Sequence, residues 1–140
     1  MPRPFYITTP IYYVNDKPHI GHAYTTIAAD VITRFHRLAG RESFFLTGTD
    51  EHGSKVADAA EAKGVSPQEF CDRTVQTFQE AWKNLSIEND DFIRTTSDRH
   101  ARAVDKLLNA MWEAKTDDGR DVIYSDYYEG LYCTGCENFI

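Results

Sequence analysis

Three consecutive stretches decide how this chain is read: Pro4-Phe-Tyr-Ile-Thr-Thr9, then Pro10-Ile-Tyr-Tyr-Val-Asn-Asp-Lys-Pro18, then His19-Ile-Gly-His22. The first is β-branched and aromatic and predicts a buried strand. The second, with turn residues Asn15 and Asp16, predicts a loop. From Gly21 onward Ile27, Ala28, Val31, Ile32, Phe35 and Leu38 recur at three- and four-residue spacing. They predict a helix with a core-facing stripe, and Gly40 is placed to end it. Ser43-Phe-Phe-Leu-Thr47 predicts a second strand. Strand, loop, helix, strand is a βαβ unit, so the fold class is α/β with a parallel sheet and a right-handed crossover.

Moving outward, the Ala-rich run Ser54 to Lys63 predicts a helix that stops at Gly64. Ser66-Pro67-Gln68-Glu69 combines a capping box with proline at the first helical position. The helix behind it places Phe70, Val75, Phe78, Trp82 and Leu85 on one stripe, with Cys71 beside Phe70 in the core. Asp91-Phe-Ile-Arg-Thr95 predicts a further strand. The next helix has Ala101, Val104, Leu107, Leu108, Met111 and Trp112 on its apolar face, and core packing is the expected use of that face. The character changes after Lys115. Residues 116–121 form a polar turn, and Val122 to Tyr132 alternates enough to predict short antiparallel strands. A boundary is therefore drawn between 115 and 116.

Composition narrows the function. At 140 residues the chain is one domain or a piece of a larger one. Hydrophobic residues at 41% and charged residues at 26% suit a soluble, core-forming protein, and 13% aromatics exclude disorder. No run approaches the ~20 apolar residues of a membrane span, and Met1-Pro-Arg-Pro4 begins no signal peptide. The expected setting is cytoplasmic, with no membrane partner. Fifteen basic against 22 acidic residues give a net charge of −7. That balance disfavours a stand-alone nucleic-acid binder, but not an enzyme that touches nucleic acid at one end.

The chemistry concentrates in two clusters. His19, Gly21 and His22 lie between the first strand and its helix, where backbone N–H groups and the helix dipole favour phosphate. Two imidazoles could donate to phosphoryl oxygens, and the glycine lets a flat base approach the backbone. A purely structural use has one histidine capping the helix and the other packing. Thr47-Gly-Thr-Asp50-Glu51-His52-Gly53 ends the second strand, beside the first cluster. Strand-end carboxylates there, facing a helix N-terminus, can bind an ammonium group or a ribose hydroxyl; a purely structural use has the aspartate capping a helix with its neighbours solvated. Cys133-Thr-Gly-Cys136 supplies two thiols at the spacing of a zinc half-site, while redox chemistry or free thiols remain open. An odd cysteine count argues against a disulfide framework.

Pro10 to Asn15, His19-Ile-Gly-His22, Gly48-Thr-Asp-Glu-His-Gly53, Asp91-Phe-Ile-Arg-Thr-Thr96 and Tyr132 to Cys136 together resemble the methionyl-tRNA synthetases. These belong to the class I aminoacyl-tRNA synthetases, and the likeness runs in order along the whole chain. The resemblance implies the N-terminal part of a Rossmann-like nucleotide-binding domain over 1–115, and the start of a zinc-knuckle insertion over 116–140. It implies His19 and His22 as catalytic residues on the ATP phosphates, with Gly21 under the adenine. Asp50 would take the methionine amino group, and Pro10, Ile11 and Tyr13 would form its pocket. Cys133 and Cys136 would hold Zn2+. ATP with Mg2+, methionine and tRNA(Met) would be the substrates and partners of a methionine–tRNA ligase.

The family also uses a Lys-Met-Ser-Lys-Ser loop, and none of Lys17, Lys55, Lys63, Lys83, Lys106 or Lys115 lies in one. The second half of the sheet, the anticodon-binding domain and the other zinc ligands are also missing. The chain is expected to be a fragment that does not complete adenylation alone. Two rivals stand beside this reading: a small HxGH nucleotidyltransferase, and a non-catalytic truncated paralogue.

Overall fold

The computed structural model describes residues 3–133, 135–136 and 138–140, which form two compact units divided between Ser97 and Asp98. The first unit contains β1 (Phe5–Thr8), β2 (Tyr12–Tyr13), α1 (Ile20–Leu38), β3 (Ser43–Asp50), α2 (Ser54–Glu61), α3 (Pro67–Asn84) and β4 (Asp91–Arg94). Strand β3 is central. On one edge its first half pairs with β1 and its last two residues pair with β2; on the other edge it pairs with β4. Every pairing is parallel, as the βαβ reading predicts.

The short β2 lies inside the predicted loop. Between the Thr8–Leu46 and Tyr12–Thr49 pairs, three residues (9–11) stand against two of β3 (47 and 48), so the register slips by one residue; β1 breaks off and pairing resumes at Tyr12, against the far end of β3. This brings the chain to the carboxyl end of the sheet just before α1. Ser66 caps α3 by accepting the Glu69 N–H at 3.2 Å, and the Glu69 carboxylate bonds Arg73. The core holds Tyr12, Val14, Val56, Ala60, Phe70, Cys71, Phe78 and Trp82. The α3 stripe is thus buried as expected, apart from Leu85, which is exposed at its C-terminal end.

Helix α1 departs from expectation. Ile27, Val31, Ile32, Phe35 and Leu38 are exposed, and the buried face is Thr26, Ala29, Asp30 and Thr33. The reason is local chemistry. The Thr26 and Thr33 hydroxyls donate to backbone carbonyls one turn back, at 2.9 and 2.7 Å, so these small polar residues are buried without cost in lost hydrogen bonds. Asp30 accepts from Arg34 at 2.6 Å and from the Glu88 N–H at 2.8 Å. Arg37 reaches Asp90 at 2.6 Å, and Asp90 accepts the Phe45 N–H. The inner face of α1 ties the loop before β4 to the sheet through polar bonds.

The second unit contains α4 (Asp98–Glu113), β5 (Tyr132–Cys133) and β6 (Asn138–Phe139). The expected core use of the α4 stripe is not seen: none of its residues is buried, and the described residues of this unit put no buried apolar layer beside it. The 116–121 turn closes as predicted, with the Gly119 N–H donating to Thr116 O at 2.8 Å. Among the described residues the only strand within Val122 to Tyr132 begins at Tyr132, and β5 pairs antiparallel with β6 rather than with residues 122–131. The alternation of 122–131 has no buried layer to face.

Candidate functional site

His19 occupies the N-cap of α1 in extended conformation, with φ −122°. Its Nδ1 accepts the Gly21 N–H at 3.1 Å, and His22 Nδ1 accepts the His19 N–H at 3.2 Å. This is a capping box built from two imidazoles in place of the usual hydroxyl and carboxyl. The rings stack with centroids 3.8 Å apart. Because each Nδ1 is an acceptor, the hydrogen-bond pattern assigns the proton of each neutral ring to Nε2. Burial, and then the neighbouring His19, lower the His22 pKa below its ordinary 6.5, which keeps that ring neutral at physiological pH. Capping and ligand donation are therefore compatible: Nδ1 serves the helix while Nε2–H stays available. The first turn of α1 carries no acidic residue to compensate its dipole.

Gly21 has a local role as well. A Cβ there would lie 2.9 Å from His19 Cε1, so only glycine leaves room for the capping ring. Beneath His22 lies buried Tyr12, with ring centroids 4.7 Å apart and Phe78 behind at 5.4 Å. The Tyr12 hydroxyl meets Thr26 Oγ1 at 2.9 Å. A cleft of about 440 Å³ opens here, lined by Ile11, Tyr12, Tyr13, Asn15, Asp16, Lys17, His19 and His22. Of the residues singled out in the sequence, Ile11, Tyr13, His19 and His22 line it; Pro10, Gly21 and Asp50 do not. Asp50 stands in register with Tyr13 on the adjacent strand, half-buried, and its Oδ1 accepts the His52 N–H at 3.3 Å.

A polar network centred on Glu51 adjoins Asp50. Burial would raise the Glu51 pKa, but hydrogen bonds from Arg94, Thr96 and Thr49 outweigh it and hold the carboxyl below its ordinary value. Cys71, whose Sγ–H donates to Glu51 O at 3.8 Å, is pushed up to about 11, chiefly by burial. Its thiol is inert core, as expected. Sequence reasoning placed Asn15 only in a turn, offered Glu51 as one of two strand-end carboxylates, and gave Tyr12, Lys17 and Arg94 no role in the site. Strand alternation could have separated Tyr12, facing in, from Tyr13, facing out. Nothing local pairs Glu51 with an arginine 43 positions away.

In the second unit the Cys136 N–H donates to Cys133 Sγ at 3.4 Å, and hydrogen bonds from Cys136 and Gly135 lower the Cys133 pKa. An amide directed at a sulfur, with thiolate favoured, is compatible with two ligands of a tetrahedral zinc site. Among the described residues no group of three or more His, Cys, Asp or Glu comes together to complete such a site. No helix among them is long and apolar enough to cross a membrane.

A parallel sheet whose first crossover helix opens on paired histidines at the strand carboxyl ends defines a nucleotide-binding domain of the class I synthetase type. The family described as tRNA synthetases class I (M) matches residues 5–140, and the chain belongs to it. It is 54% identical to the methionine–tRNA ligase of Rickettsia bellii over 139 residues, 99% of this chain and 26% of that protein. The methionine–tRNA ligase of Thermotoga maritima is 54% identical over 135 residues, 96% of this chain and 20% of its own length. The structure is also similar to Mycobacterium tuberculosis methionyl-tRNA synthetase in complex with methionyl-adenylate. That match has a TM-score of 0.88 and 45% identity, and covers 99% of this chain and 26% of the other. The chain thus spans about a fifth to a quarter of the relatives it matches.

Proposed function

We propose that the chain carries the phosphate- and methionine-binding part of a methionine–tRNA ligase acting in the cytoplasm. The reaction joins the methionine carboxylate to the α-phosphorus of ATP, with pyrophosphate leaving, and then passes the methionyl group to tRNA(Met). The observation that carries this reading is the two-imidazole cap of α1, which leaves two Nε2–H donors at a helix N-terminus beside the cleft. His19 and His22 would stabilise charge developing on the phosphoryl oxygens, a role that needs fixed donors rather than a nucleophile.

Gly21 keeps the cap in place and leaves the backbone open to adenine. Ile11 and Tyr13, with the Pro10 backbone, would wall the amino-acid side, and Asp50 would take the ammonium group. The relatives solved with methionyl-adenylate support ATP and methionine as ligands. Mg2+ would accompany ATP. Cys133 and Cys136 would supply two thiolates to a structural Zn2+ within 116–140, the start of an insertion, with 1–115 as the first half of the catalytic domain.

The test is methionine-dependent ATP–pyrophosphate exchange by the full gene product. His22→Ala and His19→Ala are each expected to lower kcat by 10²–10³, equivalent to about 3 kcal/mol of transition-state stabilisation, with methionine KM little changed. Exchange that needs no amino acid, or equal losses in rate and methionine affinity, would overturn the reading.

A further inference from the structure

The Glu51 side chain carries four hydrogen bonds, and this function leaves it unused. The Glu51 side chain is fully buried, at 0% exposure. Its carboxylate takes a two-pronged bond from Arg94, with Nε on Oε1 at 2.7 Å and Nη2 on Oε2 at 2.9 Å. Oε1 also accepts from the Thr49 hydroxyl at 2.7 Å, and Oε2 from the Thr96 hydroxyl. Arg94 Nη2 continues to Asp72 of α3 at 2.6 Å. The backbone of Glu51 is held too: its N–H donates to Thr95 Oγ1 at 2.9 Å, and its carbonyl accepts from Cys71. Residue 51 is thereby fastened to the end of β3, to β4 and the turn after it, and to α3.

A buried ion pair is a poor stabiliser, because desolvating two charges consumes most of what their attraction returns. Its distinguishing property is direction. A planar fork met by a planar carboxylate fixes orientation as well as distance. The residues it orients flank it. Asp50 leaves the strand on the opposite face, in register with Tyr13, and His52 Nδ1 meets the same Thr95 hydroxyl at 3.0 Å. Asp50 is held more loosely among the described residues. Among the described contacts its carboxylate accepts only the His52 N–H at 3.3 Å.

We infer that Glu51, locked by Arg94, is a positioning residue that fixes where the Asp50 carboxylate stands, and so tunes recognition of the α-amino group of the amino-acid substrate. Neither Glu51 nor Arg94 touches substrate. The inference rests on the role proposed above for Asp50. It predicts coupling between a buried pair and one functional group of the ligand, with the ATP side left alone.

The experiment is steady-state exchange kinetics on the full gene product with Glu51→Gln, Arg94→Gln and Arg94→Lys. Glu51→Gln and Arg94→Gln are each expected to raise methionine KM about tenfold, with ATP KM within twofold of wild type. Arg94→Lys, which keeps the charge but loses the fork, falls between. Merely structural damage lowers the active fraction, and hence apparent kcat, while leaving both KM values alone. Competitive inhibitors sharpen the reading. Methioninol, which keeps the amino group, should lose about tenfold in affinity for Glu51→Gln, whereas 4-(methylthio)butanoate, which lacks it, should lose none. Combined with Asp50→Ala, Glu51→Gln should add nothing further to methionine KM. Unchanged methionine KM, equal losses for both inhibitors, or multiplying effects in the double variant would overturn the inference. Wild-type protein without methionine-dependent exchange would instead overturn the proposed function. Should Glu51→Gln fail to fold, the Arg94→Lys and Arg94→Gln pair carries the same test.

Discussion

Helices α1 and α3 carry apolar stripes of the same period, and the fold uses them in opposite ways. In α3 the stripe is interior: Phe78 is 0% and Trp82 2% exposed. In α1 Phe35 is 66% and Leu38 89% exposed, while a carboxylate and two threonines face inward. Helical period shows that a helix has two faces; it does not show which one this chain's own sheet covers. The buried face of α1 is chosen by what it holds. Small residues let the helix lie close to β1 and β3, and Asp30 and Arg37 fasten the loop that delivers β4. The cap at its N-terminus follows the same pattern, since side-chain bonds rather than apolar area set where His19 and His22 stand.

The comparison can be broken or sharpened in steps. The largest effect is expected from Phe78→Ala in the α3 stripe, about 3–5 kcal/mol in urea denaturation of the chain. A loss below about 1 kcal/mol would mean that α3 is not the packed partner. Gly48→Ala comes next, because its Cβ would fall 2.1 Å from Ile93 O and force β3 and β4 apart. About 3 kcal/mol is expected, checked by the same denaturation together with loss of amide-exchange protection at Ile93.

On the α1 side, Asp30→Ala should destabilise by about 1–3 kcal/mol, since the Glu88 N–H loses its acceptor and Arg34 loses its shortest carboxylate contact, keeping only Ser86 O and Glu88. A neutral result would remove the polar account of the inner face. On the α3 side, the pH dependence of stability tests the buried polar tie of Glu51 to Arg94. Its folded pKa lies below the ordinary 4.5, so its contribution is complete above that value and is lost as pH falls through the folded one. Glu51→Gln should therefore flatten the acid limb of the stability profile; an unchanged limb would count against a charged, hydrogen-bonded Glu51. The smallest effect is expected from Ile32→Ser on the exposed α1 stripe, within about 0.5 kcal/mol in the isolated chain. A loss above 2 kcal/mol would show that this face is covered after all.

Much of the architecture was legible before any coordinates. The parallel β1–α1–β3 unit, the Ser66 cap, the α3 stripe and buried Cys71 all follow from periodicity and turn chemistry, which act within a few residues. The candidate site was legible in part. His19, His22, Ile11 and Tyr13 were found and do line one cleft, whereas Tyr12 and Lys17 were passed over and Asp50 stands beside it.

By itself, then, the sequence determined which segments are helix and strand, which histidines meet at the first helix N-terminus, and the family to which the order of motifs points. Those depend on neighbours three or four positions apart. Only the tertiary structure decided which face of α1 is inside, that β2 restarts pairing after Pro10, and that Glu51 meets Arg94 across two strands. Those outcomes depend on which groups arrive together from distant parts of the chain, where hydrogen bonding and desolvation outweigh the local preference for burying an apolar stripe.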